Sequence, residues 1–381
     1  VGSTAVGLSI IISGIALATH FTYEHKASTY RGSGSDTTYD MMVKLDALYN
    51  ASVGCKSVNP DPAAQTFDFK CQAEPSPFPT AAPFPDPVKA NYDHDVVTEA
   101  YPFGSSLGLK QLTNQGLSNV ATVDFARSSR APKSGDSQNL RFVGYARDGL
   151  SWVCYKQSGS GCSTMPANAA GMPNLTQAQI KDIYSCVITN WSQVGGASVP
   201  IKVFQAQSGS GTRSTWDGFI TGATSPAGCR TDIFENAASA IPTADRVGAI
   251  FYYSFGRYTQ QTPPGEGTQI GQVDGVKPDA TTIGSGTFPF SRLLYNAIRH
   301  SFTGTPSFNA NQEVRDYVDV AGFLCKGPGQ HETNPVTGNN YRTDIENVIK
   351  GEGFVPIPFG GPTGAAPLTF SSFCRVPVIP T

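Results

Sequence analysis

In the run IKVFQAQ-SGSGTR-STWDGFI a strand, a glycine-rich turn and a helix follow without a break, and no other stretch constrains the chain as much. The short apolar run Val199–Gln205 predicts a strand, and the spacing of Thr212–Ile220 predicts a helix. A glycine turn between them leaves the first helical N–H groups unpaired and aims them, with the positive helix end, at one spot. Ser210 and Thr212 add hydroxyl donors there, and Arg213 adds charge and a two-pronged contact. Chemically this is a seat for an oxyanion. The alternative is an ordinary turn closed by a Ser or Thr N-cap.

Two further stretches repeat the pattern. Gly32-Ser33-Gly34-Ser35-Asp36-Thr37-Thr38 leads into the helical spacing of Thr37–Asn50, with Met41, Leu45, Leu48 and Tyr49 on one face. Gly104-Ser105-Ser106-Leu107-Gly108 leads into the helical LKQLTNQ. A tetrahedral anion in a cleft needs donors from several segments, because each unsatisfied oxygen costs free energy on desolvation. Elsewhere, Val120–Phe125 and Leu140–Tyr145 predict strands, and Asn174–Cys186 predicts a helix behind an Asn-Leu-Thr-Gln start signal. Val247–Phe255 and Phe290–Ala297 are further strand or strand-helix candidates. Alternation of this kind predicts an α/β protein rather than a β-sandwich.

The net charge of −2 argues against nucleic acid, which rewards a basic face. Residues 1–23 carry no Lys, Arg, Asp or Glu, and 1–27 read as an apolar N-terminal helix with a short link. It is a membrane anchor, a signal segment or a helix that assembles with copies of itself. Residues 51–100, rich in Pro, Ala, Asp and Asn, read as an irregular insertion. The eight cysteines are Cys55, Cys71, Cys154, Cys162, Cys186, Cys229, Cys325 and Cys374, with no C-x-x-C pair. An even, spread-out set suits disulfides in an oxidising compartment. Pairing each cysteine with the next in the chain is one of many possible connectivities. The five histidines lack metal-ligand spacing, and neither a metal nor a cofactor is expected.

The runs YPFGSSLGLKQLTN, VATVDFARSSRAP, FVGYARDGLSW, LTQAQIKDIYSCVITNWSQVGG, IKVFQAQSGSGTRSTWDGFI, RVGAIFYYSFGRY and FPFSRLLYNAIRH occur in that order. Together they resemble the periplasmic phosphate-binding receptors of ABC importers. The resemblance implies a type II periplasmic-binding fold, two α/β lobes joined by two crossing strands with the ligand between them. Lobe one would be residues 28–150 and 286–381, and lobe two 151–285. By position the phosphate contacts would be Ser35, Asp36, Thr37 and Thr38; Ser105 or Ser106; and Ser210, Gly211 and Thr212.

Two departures from the family pattern stand out. The family's aspartate after its VDF strand accepts a proton from phosphate and thereby rejects fully ionised sulfate. Here that stretch reads Ala126-Arg127-Ser128-Ser129-Arg130, and the family's arginine before the third loop falls on Ala206. Arg127, Arg130 and Arg213 are the candidates to replace that charge, Ser128 lies in the altered stretch, and Asp36 is the candidate acceptor. Asp148 reads either as a turn residue or as a group that orders an arginine in the cleft. Trp152, Trp191 and Trp216 read as core anchors. No nucleophile elbow or phosphate-loop lysine is present, so the expected function is capture without covalent chemistry. The expected partners are inorganic phosphate and the membrane subunits of an ABC importer, outside the cytoplasm. The competing expectation is a cell-surface filament subunit on the same fold, polymerised through residues 1–27.

Overall fold

The computed structural model describes residues 30–50, 73–74, 104–113, 124–165, 171–300, 312–320, 322–326, 333–334, 336–358 and 373–381. The apolar segment 1–27, nearly all of the insertion at 51–100, Cys55 and Cys71 lie outside them. Among the described residues no helix is long and apolar enough to cross a membrane.

The chain begins with β1 (Tyr30–Gly34), α1 (Tyr39–Asn50) and a two-residue β2 (Ala73–Glu74). Next come α2 (Ser105–Thr113), β3 (Phe125–Ser128) and the long β4 (Leu140–Tyr155). They are followed by β5 (Asn174–Leu175), α3 (Gln177–Tyr184), β6 (Lys202–Ala206), α4 (Gly211–Phe219) and β7 (Arg230–Ile233). After these stand β8 (Ala249–Ser254), α5 (Phe255–Gln260), β9 (Thr268–Ile270), β10 (Gln272–Val273) and α6 (Ala280–Ser285). The return consists of β11 (Ser291–Arg299), α7 (Gln312–Val318), α8 (Tyr341–Gly351) and β12 (Val355–Pro356).

One sheet runs in the order β2-β1-β3-β11-β4-β8-β6-β7, with β9 and β12 also on β4. At sixteen residues β4 spans about 50 Å and is paired along its whole length. Its first part pairs antiparallel with β11 from Leu140 to Gly149, and its second part pairs with β8 and β9 from Leu150 to Tyr155. The chain returns beside it, where the Leu150 N–H donates to the Phe290 carbonyl at 2.9 Å. β1 and β3 are parallel in one half of the sheet, as are β6, β7 and β8 in the other. Parallel strands need helical crossovers, and the helices α1, α2 and α4 supply them.

Local sequence explains most of these elements. On α1 the side chains of Met41, Met42, Leu45 and Tyr49 are buried, as helical spacing requires. α3 opens on a capping box in which Thr176 accepts from the Gln179 N–H and the Gln179 side chain reaches back. Several strand limits differ from the sequence reading. Asn174–Leu175 belongs to a strand paired with β10, so the helix begins at Gln177. The predicted strand at 120–125 instead covers Phe125–Ser128, while 120–123 lie outside the described residues. Arg127 and Ser128 fit a buried strand because their polar atoms reach carbonyl oxygens nearby.

The core divides with the sheet. One cluster gathers Met41, Leu45, Phe125, Tyr317 and Ile345; another gathers Trp152, Ile180, Trp191, Trp216 and Tyr252. All three tryptophans are fully buried, as expected of anchors. Trp216 stacks on Tyr252 at 4.5 Å and meets Phe290 edge-on at 5.4 Å, fastening α4 to β8 and to the returning chain. Disulfides join Cys154 to Cys162, Cys186 to Cys229 and Cys325 to Cys374. Trp216→Ala should cost about 3–5 kcal/mol of unfolding free energy, measured by chemical denaturation. A loss below 1 kcal/mol would show that the anchor is dispensable.

Candidate anion-binding site

Three glycine-serine turns meet where the two halves of the sheet face each other. The first joins β1 to α1. Its Ser35 N–H donates to the Arg127 carbonyl at 3.0 Å, and Arg127 answers from below. Arg127 Nη1 donates to the Gly32 carbonyl at 2.8 Å and Nε to the Ser35 carbonyl at 3.1 Å. The second turn opens α2, and the Gly104 N–H donates to the Gly34 carbonyl at 3.2 Å. The third opens α4, where Ser210 caps the helix by accepting from the Arg213 N–H at 3.0 Å.

These turns touch across the cleft. The Ser106 N–H donates to the Gly209 carbonyl at 3.2 Å. A Cβ on Gly211 would lie 2.0 Å from Ser105 Oγ and 2.6 Å from Ser129 Oγ, so only glycine fits. Thr37 and Thr212 bring their hydroxyls to 3.1 Å of each other. The structure therefore brings together the Ser35–Thr38, Ser105 and Ser210–Thr212 positions singled out in the sequence.

Other predicted residues take different places. Ser106 Oγ accepts from Arg130 Nε at 3.1 Å, and Arg130 is further held by a two-pronged pair with Asp136. Ser128 Oγ donates to the Arg130 carbonyl at 2.8 Å and shapes that turn. Its neighbour Ser129 stands at the cleft instead, with its N–H donating to Ser105 Oγ at 2.9 Å. Arg213 donates to the Ala206 carbonyl and pairs with Asp232 at 3.0 Å, so those contacts commit it on the β7 side. Arg127 braces the first turn from its buried position beneath it.

Two residues of the cleft escaped the sequence reading. Arg292, on β11, lies directly opposite Asp148 on β4 in the strand register. Its Nε and Nη2 both reach Asp148 Oδ2, at 2.9 and 2.7 Å, and Nη1 reaches the Ser129 carbonyl and the Thr212 hydroxyl. Asp148 thus orders an arginine in the cleft, the second of its two readings. The sequence signal was slight: Asp148 is the one acidic residue of β4, and Arg292 stands among the apolar residues that open β11. Glu235, just after β7, accepts from the Thr37 hydroxyl at 2.9 Å and from the Ser210 hydroxyl. Nothing in its local sequence marked it.

Some polar atoms at the first turn are unspent. Ser35 Oγ and Asp36 Oδ2 are closed off from solvent with no hydrogen-bond partner. Burial first, and the Glu235 charge second, hold the Asp36 carboxyl well above the ordinary carboxylate range. The group is biased toward its protonated form, which can donate. Among the described residues no cluster of His, Cys, Asp and Glu suited to a metal ion is present.

A family model described as a PBP superfamily domain matches residues 62–318, more than half of the chain. The chain belongs to the PBP superfamily. A curated relative, the phosphate-binding protein PstS of Bacillus subtilis, is 30% identical over 149 residues, 39% of this chain and 46% of that protein. The aligned part thus spans less than half of that relative's length. Among solved structures, an ABC-type phosphate transport receptor from Vibrio cholerae is 18% identical with a TM-score of 0.53, covering 86% of this chain and all of that one. A putative phosphate ABC transporter substrate-binding protein from Clostridium perfringens, solved with bound phosphate, is 19% identical with a TM-score of 0.53. That match covers 87% of this chain and 100% of the other. At these identities the likeness shows the fold, the type II architecture of PBP superfamily binding proteins.

Within this PBP superfamily fold the Asp148–Arg292 pair is buried on both sides, so its integrity is testable. Asp148→Ala would strand Arg292 without its counter-ion and should cost about 3–5 kcal/mol in denaturant titrations. Adding Arg292→Met should restore part of that loss. Equal stability of Asp148→Ala and the parent would contradict the role assigned to the pair.

Proposed function

We propose that the chain is an extracytoplasmic solute-binding protein that closes two lobes, 28–150 with 286–381 and 151–285, over inorganic phosphate or a similar oxyanion. It then presents the anion to the membrane subunits of an ABC importer. The observation that carries this reading is the convergence of three helix-opening turns, with Ser35 Oγ closed off from solvent and unpartnered among them. Helix starts supply N–H donors and a positive end, and the Ser and Thr hydroxyls supply more. Arg292 adds a guanidinium at the floor, touching Thr212. The B. subtilis relative is a phosphate-binding protein by name, and the C. perfringens structure holds phosphate, which favours the same ligand class here.

Closure fits a hinge motion, because an anion touching both lobes favours the state in which they meet. β4 and the return at Phe290–Ser291 are the natural hinge, since they are where the chain passes between the two halves of the sheet. Three disulfides suit an oxidising compartment. The filament alternative rests on residues 1–27, outside the described residues, and neither the fold nor the comparisons support it.

Calorimetric titration of the folded chain with phosphate, and separately with sulfate, tests the proposal. Phosphate should bind, and Thr212→Val should weaken it by about tenfold to a hundredfold, as losing one hydrogen bond to a charged group does. Sulfate should bind more weakly. No heat with either anion would contradict the reading.

A further inference from the structure

The cleft already contains a carboxyl group that spans it. Glu235 is 5% exposed and sits between the halves, with its own N–H held by Gln207 Oε1 at 2.8 Å. Its Oε1 accepts from the Thr37 hydroxyl at 2.9 Å, and its Oε2 accepts from the Ser210 hydroxyl. Thr37 belongs to the first turn and Ser210 to the third, so the carboxylate bridges them as a ligand would. A hydroxyl has one proton to give. While Thr37 and Ser210 donate to Glu235, neither can donate to an incoming oxyanion.

The surrounding charges do not offset a second anion. Asp36 faces Glu235 from the first turn. Arg127, beneath Asp36, donates to the carbonyls of Gly32 and Ser35. Arg257, on α5, is paired with Asp40 on α1, and Arg292 is paired with Asp148. Arg213, on α4, is tied to Asp232 and lies near Asp217. Tyr252, on β8 behind the site, accepts the Ala206 N–H and stays neutral because burial pushes its hydroxyl far up. Asn236, the next residue, reaches Thr37 Oγ1 with its amide at 3.5 Å. An ionised Glu235 beside a bound oxyanion would leave two negative charges competing for the same two donors in a poorly solvated cleft.

We propose that Glu235 is a built-in counter-anion of the cradle, and that an oxyanion binds together with one proton that neutralises this carboxyl. Thr37 and Ser210 are then released to donate to the ligand, and the Glu235 O–H becomes a further donor. This deepens the oxyanion reading and rests on it. The added proton goes to Glu235 because its two oxygens are the ones that hold the Thr37 and Ser210 hydroxyls. Because the bound form carries the extra proton, affinity rises as pH falls, by about tenfold per pH unit for each proton taken up.

Calorimetry with inorganic phosphate, on the chain and on Glu235→Gln, tests this in two buffers of different ionisation enthalpy between pH 6 and pH 8. Phosphate's own titration is common to both proteins and cancels in the comparison. The parent should take up about one proton more per anion than Glu235→Gln, whose affinity should exceed the parent's by about tenfold at pH 8. Equal proton counts and parallel pH profiles would overturn the inference while leaving the oxyanion reading intact. No heat from either protein at any pH would remove both. Should the variant fail to fold, infrared difference spectra of the parent serve instead. Phosphate should convert a carboxylate band into that of a protonated carboxyl, and an unchanged carboxylate band would overturn the inference.

Discussion

The buried pair between Asp148 and Arg292 is the constraint on which the cleft is built. It joins β4 to β11, which are directly opposite there, at the level where the chain passes from one half of the sheet to the other. A guanidinium this deep is tolerable only with its carboxylate in place and its remaining donors used. The donors are used on the Ser129 carbonyl and the Thr212 hydroxyl, which belong to opposite sides of the cleft. Asp148 contributes from its other oxygen by accepting the Gly256 N–H at 3.2 Å. One ion pair thus fixes the crossing strands, the start of α4 and the start of α5 against each other.

Above that floor the site is assembled from backbone as much as from side chains. Each turn delivers a helix start, and each is located by contacts to another turn: Gly104 to Gly34, Ser106 to Gly209, Gly211 against Ser105. The glycines matter because the turns approach closer than a Cβ permits. Placing donors on rigid elements lets them converge without much ordering cost when a ligand arrives. The same closeness explains why Ser106 and Ser128 do not serve the cleft. Their hydroxyls are consumed in fixing Arg130 and its turn.

Much of this was legible in the sequence because it depended on local chemistry. The Gly-Ser turns announce helix starts by composition, the face of α1 shows in the spacing of Met41 and Leu45, and the Asn-Leu-Thr-Gln signal at Asn174 announces α3, which begins three residues later at Gln177. Three of the four neighbour-to-neighbour cysteine pairings are present, and Cys55 with Cys71 lies outside the described residues. What was not legible depended on register and on contacts over long separations. Arg213 looked like the anion's partner because it follows the turn, yet it pairs with Asp232 across the β6–β7 side. Arg292 became visible only when strand pairing set it opposite Asp148, 144 residues away. Glu235 meets Thr37 across 198 residues, and no local pattern encodes such a meeting.

Asp36 and Glu235 give this cleft a chemistry that differs from a simple ring of donors. Both have buried carboxyl oxygens, while the guanidiniums nearby are already engaged with carboxylates or carbonyls. A ligand able to carry or share protons suits such a site better than a fully ionised one. The central claim, that the three turns form one oxyanion cradle, is tested most directly by a crystal structure of the chain grown with phosphate. The account predicts the anion between the first and third turns, within hydrogen-bond distance of Ser35, Thr212 and the Gly211 N–H. An anion bound elsewhere, or a cleft left empty at saturating phosphate, would contradict it.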